Sequence, residues 1–89
     1  MDEKICPVDV IAMSSANGEI RPLRFRMANE SQEFLRVDID ELISVKKIQY
    51  VGIEAYVFLC RATAATEQWL IELKYTIRTH TWCLLRRVR

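Results

Sequence analysis

The chain has 89 residues, 51% of them hydrophobic and 28% charged, with thirteen basic against twelve acidic side chains. That length leaves room for one core, so residues 1–89 read as a single domain, and the balance excludes a disordered tail, a collagen-like chain and a coiled coil. A net charge of +1 excludes polyanion binding driven by a global field, and two Gly plus two Pro leave no low-complexity linker.

The N-terminus starts acidic and lacks the basic and long apolar regions of a secretory signal. No apolar run approaches the ~20 residues of a membrane-spanning helix. The expectation is a cytoplasmic protein with no membrane partner. The three cysteines fit, since an odd number cannot all pair internally and reduced thiols are ordinary in that compartment. A core this small has little stability to spare, and dimerisation is a natural supplement.

In chain order the dominant period is two. Residues 8–13 make a first strand in which Asp9 is the only charge. Ser14, Ser15, Ala16, Asn17 and Gly18 reverse the chain, with Asn-Gly supplying positive φ at little cost. Leu23, Phe25 and Met27 alternate with Arg24 and Arg26, and after a turn at Asn29, Glu30 and Ser31, Leu35, Val37 and Ile39 alternate with Arg36 and Asp38.

The next stretch breaks phase: Ile43 and Val45 are odd, Ile48 and Tyr50 even. Either a bulge at Lys46 and Lys47 flips the register, or Asp40 caps one helical turn before a new strand; the helical turn is the preferred reading. Gly52 separates this run from residues 53–60, which are apolar on both faces apart from Glu54, as in a central or covered strand. A hairpin follows at residues 63–66. Trp69, Ile71, Leu73, Tyr75 and Ile77 then share one face of a half-buried strand, with Glu72, Lys74, Thr76 and Arg78 on the other. Thr79, His80 and Thr81 turn into a last strand over residues 82–88.

Six or seven short strands with tight turns predict an all-β fold, a small antiparallel barrel or sandwich, SH3-like or similar, with at most one short helical turn. The predicted core is Val8, Val10, Leu23, Phe25, Leu35, Val37, Val57, Leu59, Trp69, Ile71, Leu73, Tyr75, Trp82 and Leu84.

The residues make a weak case for catalysis. His80 is the only histidine and falls in a turn. Asp38, Asp40 and Glu41 are the one tight acidic cluster, and a polar turn accounts for them without an ion. Two glycines cannot build a phosphate-cradling loop. Cys6, Cys60, His80 and Cys83 would make a Cys3His zinc set, but positions 80 and 83 point to opposite faces of a regular strand. The expectation is a non-enzyme with no metal, no cofactor and no evident small-molecule substrate.

Two binding classes remain. Residues 1–60 carry seven basic and ten acidic side chains, a net −3, while residues 61–89 carry six and two, a net +4. With Arg24, Arg26, Lys74, Arg78, Arg87 and Arg89 on outward faces, adjoining strands would form a phosphate-tracking surface for nucleic acid. The aromatics, however, share the core phase instead of standing among these cations. The preferred alternative is a protein-interaction module. If Ala55, Val57 and Leu59 face the core, Tyr56 and Phe58 face out, with Tyr50 nearby, and form an apolar patch suited to a homodimer or another protein.

Gly18-x-Ile20-x-Pro22-Leu23-Arg24-Phe25-Arg26, Val37-Asp38, Phe58-x-Cys60, Glu72-Leu73-Lys74-Tyr75 and Thr79-x-x-Trp82-x-Leu84 resemble short uncharacterised all-β proteins of Gram-positive bacteria. The resemblance covers most of the chain. It implies a bacterial cytoplasmic β-protein and brings no assigned activity or site residues.

Overall fold

The computed structural model describes residues 6–28 and 31–89. The strands are β1 (Cys6–Pro7), β2 (Asp9–Ser14), β3 (Ile20–Ala28), β4 (Phe34–Tyr50), β5 (Ile53–Ala64), β6 (Glu67–Thr76) and β7 (Thr81–Arg87). They form one antiparallel sheet in the order β1-β7-β6-β5-β4-β3-β2, strongly curled into a half-barrel. The two outermost strands are halves of one N-terminal segment, divided only by Val8. Pro7 lies opposite Cys83 on β7 while Asp9 lies opposite Arg26 on β3. The buried Val8 is thus the corner at which the chain crosses from one end of the sheet to the other.

Among the described residues there are seven strands, but their boundaries are not those expected. No helical turn occurs at Asp40; β4 runs unbroken for 17 residues. Its phase is switched by two bulges, at Asp40 and Ile43, where the register to β5 slips. Each bulge adds one unpaired residue and deepens the local twist. The alternative reading, a bulge at Lys46 and Lys47, has the right device at the wrong place: Lys46 lies regularly opposite Val57 and Lys47 opposite Tyr56. The turn placed at Asn29 and Glu30 lies outside the described residues.

The core fills the concave side. Val8, Phe25, Val37, Phe58, Cys60, Ala62, Ala64, Ile71, Leu73 and Leu84 form one buried cluster, with Val10, Leu35, Trp69, Tyr75 and Trp82 packed against it. Most of the predicted core is there. Leu23 is not: it is the extra residue of a bulge between β2 and β3 and stays 42% exposed.

The larger correction concerns β5. Its even residues face inward, and Phe58 is 1% exposed. Val57 and Leu59 lie on the convex face instead. The hairpin fixes this. Ala64 pairs with Glu67 across a two-residue loop, so every even residue of β5 stands opposite an odd residue of β6, with Cys60 facing Ile71 and Phe58 facing Leu73. Because β6 commits its odd residues to the core, β5 must commit its even ones.

Candidate interaction edge and barrel mouth

From Ile39 onward the two neighbours of β4 part company. β3 pairs with β4 only between Phe34 and Asp38, whereas β5 follows it to the hairpin tip. Among the described residues, 39–50 of β4 are therefore laddered on one side only. The first bulge falls where the pairing with β3 stops, and a bulge bends and twists the strand that carries it. The opposite edge carries a row of unpaired N–H and C=O groups, the feature that makes a sheet edge a template for another strand.

Apolar side chains stand along this edge. Ile43 is 40% and Val45 46% exposed. At the tip Tyr50 and Val51 are 77% and 82% exposed. The tip is a two-residue turn with positive φ at both Val51 (52°) and Gly52 (81°). A left-handed conformation suits Gly52 and is strained for a β-branched valine.

Inside the edge the half-barrel opens into a groove of about 770 Å³. Leu42, Val45, Tyr56 and Phe58 line one side, Met13 and Ile20 the other. Its rim is the turn between β2 and β3, which Ser15 holds closed by accepting the Glu19 N–H at 3.1 Å and donating to the Asn17 side chain.

The residues expected to form an aromatic interface are divided by the sheet. Tyr50 is at the exposed tip. Phe58 is in the core, 5.5 Å from Trp82 and 6.2 Å from Tyr56 between ring centres, and Tyr56 is half-buried beside it. An outward Tyr56–Phe58 face does not exist. Both rings border the groove instead.

The six basic residues of the nucleic-acid reading are scattered. Arg24 and Arg26 on β3 are separated from Lys74 on β6 by two intervening strands, roughly 14 Å. Arg26 is bound to Asp9 at 3.0 Å and lies 4.4 Å over the Phe34 ring. Arg78 sits past the end of β6, whereas Arg87 lies opposite Ile71, roughly 20 Å along the strand. Arg87 was expected to point outward. A bulge at Leu85 shifts its phase, so it stacks 4.5 Å over Trp69, and a guanidinium nitrogen lies 3.8 Å from Glu67. The carbonyl of Arg89 accepts the Leu70 N–H at 2.9 Å.

The chemistry-bearing groups are likewise apart. Asp38 is bound by Arg36 at 2.9 Å, Glu41 by Arg61 at 3.2 Å, and Asp40 accepts the Thr63 hydroxyl at 2.5 Å. His80 is exposed in the turn between β6 and β7, its Nδ1 2.9 Å from the Tyr75 hydroxyl. Cys6, Cys60 and Cys83 are free thiols. Burial pushes the Cys60 thiol up to about 12. Burial also raises the Cys83 thiol, opposed by Lys74 and reinforced by Cys6. Among the described residues no three His, Cys, Asp or Glu side chains could share a metal ion.

The fold and this edge define a class, a small all-β half-barrel with one strand left open. Comparison with protein-family models, curated proteins and solved structures finds no match. Among the described residues no helix is long and apolar enough to cross a membrane.

Proposed function

We propose that the chain is a non-enzymatic protein-interaction module that receives an extended partner strand along the open edge of β4. The observation that carries this reading is the one-sided ladder of residues 39–50, with Ile43 and Val45 exposed along it. Strand addition draws affinity from main-chain hydrogen bonds and specificity from alternate side chains. Here Val45 and its neighbours beside the groove would read the partner's alternate residues. The arginine distribution favours protein over nucleic acid, because the cations are spread over separate strands and two of them, Arg26 and Arg87, are matched with carboxylates.

The test is selection of displayed peptides against the chain, with Val45→Lys as the counter-target. An inward-pointing charge at an edge blocks strand pairing, and Val45 is exposed enough to accept it without unfolding. Peptides that protect amides of residues 39–50 from hydrogen exchange and ignore Val45→Lys support the reading. Peptides that protect another strand, or bind the variant equally, overturn it.

A further inference from the structure

We propose that the strand received by β4 is β4 of a second copy, paired antiparallel about a two-fold axis between Ile43 and Ser44. This rests on the strand-addition reading. The argument starts from the bulge. Glu41 lies opposite Arg61 on the convex face, and Leu42 lies opposite Cys60 on the concave face. After the slip at Ile43, Val45 lies opposite Phe58, again concave, and Lys46 opposite Val57, again convex. Five residues apart in a regular strand, positions 41 and 46 would fall on opposite faces. With the bulge, residues 41–46 read convex, concave, the two bulge residues Ile43 and Ser44 opposite Leu59, concave, convex, which is the same in either direction.

Residues directly opposite in an antiparallel pair point to the same face. A two-fold axis at the middle of this segment therefore sets Glu41 against the second copy's Lys46 on the convex face, and Leu42 against its Val45 on the concave face. Each contact occurs twice. Among the described residues Lys46 has no carboxylate partner, and the second copy's Glu41 would supply one. A shift of the axis by one residue toward the tip loses this match, because residues 42–47 put Leu42 against Lys47. The exposed Ile43 and Val45 lie at the centre of the paired segment, where burial is greatest.

The experiment measures mass by sedimentation for the wild type, Glu41→Lys, Lys46→Glu and their equimolar mixture, with near-ultraviolet circular dichroism to check folding. The wild type is expected to dimerise. Each single variant sets like charges against each other twice and should weaken self-association about tenfold or more. The mixture restores both pairs and should recover a dimer holding one of each. If Glu41→Lys fails to fold for want of its Arg61 contact, concentration-dependent amide protection of residues 41–46 in the wild type decides the matter. A monomer up to millimolar concentration overturns the second copy as partner. Dimers that survive both charge reversals, or a mixture that does not reassemble, overturn the register. In that case Val45→Lys separates the two readings: if it yields a monomer the edge is still used, and if it remains a dimer strand addition fails as well.

Discussion

Phe58→Ala tests the assignment of the two faces of β5. Phe58 is 1% exposed, packs against Trp82 at 5.5 Å and stands between Leu73 and Val45 in the ladder. Removing a buried phenylalanine costs about 3–5 kcal/mol. A chain of 89 residues has a total stability of about 4–13 kcal/mol at roughly 0.05–0.15 kcal/mol per residue. The variant should therefore be marginally folded, with a Tm lower by about 15–30 °C. Val57→Ala is the matched control. Val57 is also nearly inaccessible, but it lies on the convex face between Lys46 and Lys74. Loss of two methyl groups there should cost about 1.5 kcal/mol. Urea unfolding followed by tryptophan fluorescence measures both. A loss under 1 kcal/mol for Phe58→Ala with more than 3 kcal/mol for Val57→Ala would refute the inward orientation of the even residues.

Three further outcomes follow from the same structure. Val51→Asn should raise stability by about 1 kcal/mol in a denaturant titration, because asparagine tolerates the left-handed conformation that valine holds under strain at φ 52°; an unchanged or lower midpoint would show that the turn is not strained. Stability should be complete below pH 9 and fall as pH rises toward 12, since the Cys60 thiol ionises near 9.0 when unfolded but near 12 when folded. Cys60→Ala should flatten that decline in an alkaline unfolding series, and a decline of the same depth would assign it elsewhere. Tyr75→Phe should cost about 0.5–1.5 kcal/mol by removing the hydroxyl contact to His80, readable as a shift in the urea midpoint.

The legible parts of this fold are those in which one face is polar. β6 alternates between Ile71, Leu73, Tyr75 and Glu72, Lys74, Thr76, and its orientation is as read from the sequence. β5 is apolar on both faces, so composition cannot orient it. Loop parity can: with β6 committed, a two-residue loop at Ala65 and Thr66 fixes β5. That loop has no glycine, and Ala65 takes φ 55° unaided, so the turn carried no length signal. Bulges account for the other departures. Leu23 stands in apolar–basic alternation, and nothing in its type marks it as the extra residue, whereas Leu85 lies in Leu84-Leu85-Arg86-Arg87, where the doubled pattern itself breaks the alternation. The consequence reaches the candidate site, because a bulge at Leu85 turned an outward Arg87 onto Trp69. The open edge of β4 was hidden for a further reason. Periodicity reports which face is buried, whereas an unpaired edge lies in the plane of the sheet.

An open edge twelve residues long is a hazard to a small β-protein, since any extended chain can pair with it. β4 carries two features that limit this. Lys46 and Lys47 charge the edge, and the bulges at Asp40 and Ile43 interrupt its regular spacing. Both discourage an arbitrary regular strand. Neither discourages a strand with the same bulge and the complementary charge order, and β4 itself is such a strand. The device that protects the edge from indiscriminate pairing is thus also the one that would select a single partner. Removing Ile43 should straighten β4 and restore strict alternation, while Glu41 and Lys46, then four residues apart, stay on the same face. The deletion variant should then keep the charge match but accept regular strands as well, gaining heterogeneous association at the same concentration, seen as a broadened sedimentation profile. A deletion variant that still forms one discrete dimer would show that the bulge has no part in choosing the partner.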